Sequence, residues 1–197
     1  MYRLSFTAAA FKFPESIRLA EAYQERKDWK VVREITFAND LLQRAKHKTI
    51  KSEFRELEVR LKTLTNNELS FLLDTDSVSQ RQILWVAICR AYPFIRQFTM
   101  EVIRPNYQRF EWTISETDYR RFFERKADLH DELNRLTDSS KAKIRQVLFK
   151  MLEGAGLITS VKQRTILRPI VPDSLALLLR QNNPADLPLL FFNDQDL

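Results

Sequence analysis

The sequence predicts a mainly helical protein, in which an N-terminal helical bundle precedes a winged-helix-type module with a small β-hairpin. The first observation is the glycine content, because the chain of 197 residues holds only 2 glycines, whereas average usage would give about 14. The second is helical apolar periodicity as far as Pro105. The third is the order of elements after Pro105, which is strand, helix, helix, helix and two-stranded hairpin.

The scarcity of glycine also excludes several classes of function. Loops that cradle phosphates need glycine, because a residue without Cβ lets the backbone amides close on the anion. The sequence contains neither a GxGxxG nor a GxxxxGK[ST] motif. Rossmann, P-loop and kinase proteins are therefore excluded.

Three helices open the predicted bundle, which covers residues 1–106. Pro14 suits the first turn of a helix that ends near Asp28. A second helix is predicted to begin at Trp29 and to end near Asn39. The third has the clearest amphipathic stripe, because its apolar residues recur at alternating steps of four and three: Ile50, Phe54, Leu57, Leu61 and Leu64.

Three further helices complete the predicted bundle. Thr65 and Glu68 have the spacing of a capping box, which opens a short helix. The segment 79–92 is apolar nearly all round at its centre, so it is expected to be the core helix. Pro93 starts another helix, which is expected to end before Pro105.

The predicted second module covers residues 107–182. Apolar and polar residues alternate from Phe110 to Ile114, which is the period of a half-buried strand. Ser115 opens a helix, and a short helical turn is expected at 131–136. Thr137 or Asp138 then caps a strong amphipathic helix.

The end of this helix coincides with both glycines of the chain. Gly154 is expected to take the left-handed cap conformation there, and Gly156 follows two residues later. Residues 157–158 and 165–167 are then predicted to pair as a hairpin around a turn at 161–163. This order of elements is that of a winged helix.

The last part of the chain is less regular. A final helix begins at Pro172 and Asp173, and the tail at 183–197 contains Pro184 and Pro188. The tail is expected to fold back onto the bundle, and the alternative is a peptide that docks on a partner.

No catalytic or metal-binding motif stands out in the sequence. The two histidines, His47 and His130, have no second histidine or cysteine at ligand spacing. The one cysteine, Cys89, lies in an apolar run and is expected to be an inert buried thiol. We therefore expect a protein that is not an enzyme and holds no metal or cofactor.

The longest internal apolar run, 83–89, is too short to cross a bilayer, which takes about 20 residues. The N-terminus is also a poor signal peptide. We expect a cytoplasmic protein without membrane contact, and a monomer is the favoured oligomeric state.

The formal net charge of +6 and a pI of about 9.5 indicate an anionic partner, although solvated basic helix faces produce the same balance. One basic row lies on the third helix beside its apolar stripe: Lys48, Lys51 and Arg55. A solvated flank with Glu–Lys pairs is the alternative interpretation of this row.

A second basic cluster coincides with the predicted recognition helix and wing. Basic residues outnumber acids by five between Asp138 and Arg168. The outward arc of the helix is expected to carry side chains of the types that bind phosphates and base edges: Ser139, Lys143, Gln146 and Lys150. The other candidate DNA contacts are Lys141 and Arg145 on the same helix and Lys162, Gln163 and Arg164 on the wing. The alternative is a winged helix that docks only on protein.

Three blocks of the sequence resemble the BrxA family of bacterial BREX phage-defence systems: MYRLSFTA at 1–8, LWVAICRAYPFIR at 84–96, and LTD at 136–138 running into IRQVLF at 144–149. The resemblance implies an all-helical protein with a bundle similar to the antitermination factor NusB and a winged-helix part. It also implies double-stranded DNA binding in a defence complex with a methyltransferase, an ATPase and a phosphatase-like protein. It transfers no site residues, because the matched positions are mostly core and capping positions.

The sequence therefore predicts a non-enzymatic accessory protein of phage defence that binds double-stranded DNA and has other BREX proteins as further partners. Two alternatives stay open. One is an RNA-binding helical bundle, suggested by the NusB likeness and the basic row on the third helix. The other is a scaffold for the defence complex, suggested by the apolar tail.

Overall fold

The computed structural model describes residues 1–39, 41–42 and 47–193, with side chains omitted at 47–49. Within these ranges the chain forms eleven α-helices and three short segments of other helical type. The prediction of a mainly helical protein is confirmed.

Seven helices precede residue 109: α1 Phe13–Arg26, α2 Trp29–Ala38, α3 His47–Leu61, α4 Asn66–Asp74, α5 Ser77–Ala91, α6 Pro93–Phe98 and α7 Arg104–Gln108. Short sequence motifs determine where some of these helices begin. The predicted capping box is present, because the Thr65 hydroxyl accepts from the Glu68 amide and the Glu68 carboxylate accepts from the Thr65 amide. Helix α5 is buried along most of its length, as expected of the core helix.

The predicted helix end before Pro105 is wrong. Helix α6 continues through a π-helical segment, Thr99–Ile103, directly into α7. The Arg104 amide donates to the Thr99 carbonyl five residues back. The wider turn restarts the helix, so that Pro105, which has no amide hydrogen to donate, falls in the first turn of α7.

Four helices follow: α8 Glu116–Ala127, α9 Asp131–Asn134, α10 Asp138–Gly154 and α11 Asp173–Asn182. Ser115 and Asp118 form a capping box at the start of α8. The Thr137 hydroxyl caps α10 by accepting from the Ser140 amide at 3.2 Å.

The predicted β-hairpin is not confirmed, because the described part of the chain contains two isolated antiparallel bridges and no sheet. Thr113 pairs with Thr165, and Ile158 pairs with Ile166. Segment 164–167 thus lies between segments 112–114 and 157–159. It stays short because Arg164 has a left-handed φ of 55° and Pro169 lacks an amide hydrogen.

The expected left-handed cap at Gly154 is also wrong. Gly154 is the last residue of α10 and has no positive φ, whereas Gly156, two residues later, has a φ of 74°. Gly154 is favoured for a steric reason instead, because a Cβ at this position would lie 2.5 Å from the Phe11 Cβ. Both glycines serve the end of α10, one by close packing and the other by its backbone conformation.

One hydrophobic core extends through both predicted modules. The Phe98 ring in α6 contacts the Phe122 ring in α8, with centroids 5.1 Å apart, and the Phe149 ring in α10, with centroids 6.0 Å apart. Phe149 is therefore a core residue that faces the bundle. The module boundaries at 106 and 182 remain predictions.

The chain after Asn183 folds back onto the bundle as far as the structure describes it. Pro184–Leu190 is a short 3₁₀ helix whose Leu187 and Leu189 are buried. Asp186 is fully buried and bonds to Arg90 and Arg96. The tail residues 194–197 lie outside the described residues.

Candidate nucleic-acid interface

The outer face of α10 forms a row of exposed polar side chains. Its apolar residues, among them Ile144 and Leu148, pack into the core, which turns the opposite face to solvent. The exposed row is Ser139, Lys143, Gln146 and Lys150. At 1.5 Å per residue the row spans about 16 Å.

The polar groups of this row are available to a ligand. Lys143 Nζ donates to Gln146 Oε1 at 3.3 Å on the exposed surface. Lys150 has no ion pair with any other described residue. The first turn of α10 adds free backbone amides, which favour anions, although Asp138 in that turn carries the opposite charge.

Arg145 and Arg164 both form ion pairs with another side chain of the protein. Each donates to the Glu116 carboxylate at the start of α8, Arg164 Nη1 at 2.9 Å to Oε2 and Arg145 Nη1 to Oε1. Hydrogen bonds from Arg164 and Arg145 lower the pKa of Glu116 from its ordinary value. Segments 112–114, 157–159 and 164–167 are the bridge segments. The ion pairs join α8 and α10 to the last of them, so these two arginines hold the exposed face of α10 and the neighbouring turn in position.

Arg164 also shapes the turn at 161–163. Its guanidinium carbon lies 4.2 Å from the centre of the Phe149 ring, and its Nε donates to the Val161 carbonyl at 3.1 Å. The Gln163 amide donates to Ser160 Oγ at 3.0 Å. This anchored turn leaves Lys162 and Gln163 exposed.

The basic row on α3 lies on a different element. Lys51 and Arg55 are exposed and line a shallow groove of about 540 Å³ together with Arg33. The Lys48 side chain lies outside the described side chains. The N-terminal 3₁₀ helix Ser5–Ala8 contacts both α3 and α10, so a single short segment links the two basic elements.

Exposed cations on α8 were not predicted from the sequence. Arg120 and Arg121 point away from the apolar residues Tyr119, Phe122 and Phe123 and are exposed. Helical periodicity predicts this exposure. The proximity of Arg120 to Lys141 on α10 needs the tertiary structure, because only folding brings both to one groove.

The described residues were also compared with the requirements of a metal site. No cluster of three or more histidine, cysteine or acidic side chains there could hold a metal ion. Cys89 is buried as predicted, and burial raises the pKa of its thiol. His130 packs against the Tyr2 ring, with ring centroids 4.1 Å apart.

No described helix combines the length and the apolar character that crossing a membrane requires.

Comparison with known proteins first defines the fold class. The structure is similar to the crystal structure of an uncharacterized protein from Magnetospirillum magneticum, with a TM-score of 0.78 and 19% identity, covering 96% of this chain and 97% of that one. This likeness shows a shared fold.

The family model of BrxA matches residues 1–183, so the chain belongs to the BrxA family. It is similar to the BREX protein BrxA of Escherichia coli O9:H4 (strain HS), with 25% identity over 167 residues that cover 84% of this chain and 78% of the relative. The family resemblance predicted from the three sequence blocks is confirmed.

Proposed function

We propose that this chain is a non-enzymatic accessory protein of a BREX-type phage-defence system and that it binds double-stranded DNA. Membership of the BrxA family supports the defence role. The observation that carries the DNA proposal is the exposed row on α10, a helix whose only acids are Asp138 and Glu153, one near each end.

We propose further that α8, α9, α10 and the bridge segments act as a winged helix. The chain order and the pairing of segment 164–167 with 112–114 and 157–159 support this arrangement. Helix α10 is then the recognition helix, and a helix of this width enters a major groove about 12 Å wide. The turn with Lys162 and Gln163 corresponds to the wing.

The side chains of the surface divide by role. Lys143, Lys150 and Lys162 are placed to contact phosphates, while Ser139 and Gln146 can reach base edges. Arg145 and Arg164 hold the helix and the turn together through Glu116.

The test is fluorescence anisotropy with a labelled DNA duplex over a series of salt concentrations. The logarithm of the affinity is expected to fall linearly with the logarithm of salt, with a slope near −0.9 per phosphate contact. The variant Lys143→Ala/Lys150→Ala should reduce that slope by about 1.8.

Lys51→Ala/Arg55→Ala is the matched control, because it also removes two exposed cations but from α3. Equal losses in both variants would show that binding follows net charge and would contradict an interface on α10. No binding at low salt would contradict the DNA proposal as a whole.

RNA binding by the bundle is the second candidate, favoured by the exposed cations Arg33, Lys51 and Arg55 around one groove. Competition between single-stranded RNA and duplex DNA separates the two candidates. Preference for RNA, lost in Lys51→Ala/Arg55→Ala, would favour this second function.

A further inference from the structure

A groove lies between α8 and the N-terminal half of α10. Its volume is about 440 Å³, which is within the range of small-molecule sites. Phe123, Ala127 and Ala142 supply apolar lining, and Arg120 and Lys141 lie on opposite helices at the groove.

Tyr119 is one of the residues that line this groove, and its hydroxyl is buried without a partner. The residue is only 6% exposed, and its ring is fixed against Phe98 and Phe149, with centroids 5.9 Å away in each case. Its buried hydroxyl has no hydrogen-bond partner in the described structure. Such groups are rare in folded proteins, because water no longer compensates for the missing bond.

Burial raises the pKa of Tyr119 far above its ordinary value. The phenol therefore keeps its proton, which makes it a donor toward a hydrogen-bond acceptor.

Two cations at the groove are also without a partner. Arg120 and Lys141 form no ion pair with another described side chain, whereas Arg145 in the same lining is held by Glu116. Glu116 also lines the groove, and its carboxylate is paired with Arg145 and Arg164. Further along α8 from Arg120 the lining residues Glu124 and Asp128 form an acidic end. Asp128 lies about 12 Å from Arg120 along α8 at 1.5 Å per residue.

We propose that this groove binds a small amphipathic organic anion, whose single carboxylate or phosphate lies between Arg120 and Lys141 and accepts a hydrogen bond from the Tyr119 hydroxyl. The apolar body of the ligand packs on Phe123 and Ala142. The acidic end disfavours a second negative group and so limits the ligand to one anionic end. This proposal does not rest on the proposed DNA binding, because Lys143, Gln146 and Lys150 are not among the residues that line the groove.

The test is isothermal titration calorimetry on the full chain with probes that separate charge from apolar area. The probes are 1-naphthyl phosphate, 1-naphthoate, 1-naphthylmethylamine and inorganic phosphate. At least one naphthyl anion is expected to bind, and the better of the two identifies the headgroup. The naphthyl amine and inorganic phosphate are expected to bind at least about tenfold more weakly, which corresponds to about 1.4 kcal/mol.

Three variants locate the site. Arg120→Gln/Lys141→Gln and the groove-filling Ala142→Phe should each weaken naphthyl anion binding at least about tenfold. Tyr119→Phe should weaken it about tenfold while leaving the melting temperature unchanged or higher, because it removes an unsatisfied hydroxyl.

Arg121→Gln/Lys143→Gln is the matched control, since it removes one exposed cation from each of the same two helices. Binding unchanged in this control supports the site. The proposal is overturned if neither naphthyl anion binds at millimolar concentration, if the amine binds equally well, or if Ala142→Phe or Tyr119→Phe binds like the unmodified chain.

Discussion

Replacing Asp186 with alanine is expected to release the C-terminal segment from the bundle. The carboxylate is 0% exposed and accepts from Arg90 Nε at 2.8 Å and from Arg96 Nη1 at 2.6 Å. Removing one member of a buried ion pair costs about 3–5 kcal/mol, because the remaining charge has no compensation.

The loss is expected at the lower end of that range. Arg90 keeps two hydrogen bonds of 2.7 Å to the buried carboxylate of Glu68, and the Arg96 side chain is 31% exposed, so water can replace part of its bond. A loss of about 3 kcal/mol corresponds to a melting temperature lower by about 6–12 °C in a chain of this size.

Urea unfolding followed by far-ultraviolet circular dichroism measures this loss. Glu111→Ala is the control, because it breaks an exposed ion pair with Arg109 and should leave the unfolding midpoint unchanged. A loss below about 1 kcal/mol in Asp186→Ala would refute the reasoning, since it would mean that Arg90 and Arg96 do not depend on this carboxylate.

Three further outcomes follow from features of the fold. Gly154→Ala should lower the free energy of unfolding by about 1–3 kcal/mol, because its Cβ would clash with Phe11. Gly156→Ala has open space but a positive φ, so it should lower the free energy of unfolding by about 1 kcal/mol. Equal melting curves for Gly154→Ala and the parent chain would contradict the contact with Phe11. Burial raises the pKa of Tyr92 to about 12, so the contribution of this phenol to stability should be fully present below the unfolded pKa near 10 and should fall by about 1.4 kcal/mol per pH unit from there to about 12. Urea unfolding of the parent chain and of Tyr92→Phe at several pH values measures this contribution as the difference between their slopes, and equal slopes would count against Tyr92. Cys89 should react with a thiol reagent only at the rate of unfolding, because it is buried with a raised pKa; fast reaction of the native protein would show that the core opens.

Signals carried by a few neighbouring residues predicted the local structure correctly. The capping boxes at Thr65 and Ser115 depend on a pair of residues three positions apart, and the stripe from Ile50 to Leu64 depends on helical spacing alone. Such patterns are complete within the sequence. They therefore gave the helices and their buried faces without knowledge of the fold.

Features that depend on distant residues could not be predicted in this way. Phe11 approaches Gly154 only in the folded chain, so its constraint on α10 has no local signature. Arg164 and Arg145 have the residue type of DNA contacts, yet their common partner Glu116 lies 48 and 29 residues away. The partner decides whether an arginine is available to a ligand.

The same holds for α10 as a candidate site. Its exposed row follows from the amphipathic pattern and was predicted correctly as a solvent-facing surface, with Lys143 and Lys150 exposed. The groove between α8 and α10 was not predicted. It requires α8 to lie beside α10, and the sequence does not contain the angle or distance between two helices.

The buried position of Asp186 has a consequence for how the protein is made. Asp186 and Arg90 are 96 residues apart along the chain, and synthesis proceeds from the N-terminus. Helix α5 therefore leaves the ribosome long before the segment that neutralises Arg90 and Arg96 and covers their surroundings with Leu187 and Leu189. During that interval the nascent bundle exposes this surface to solvent, and the C-terminal segment covers it once it has been synthesised.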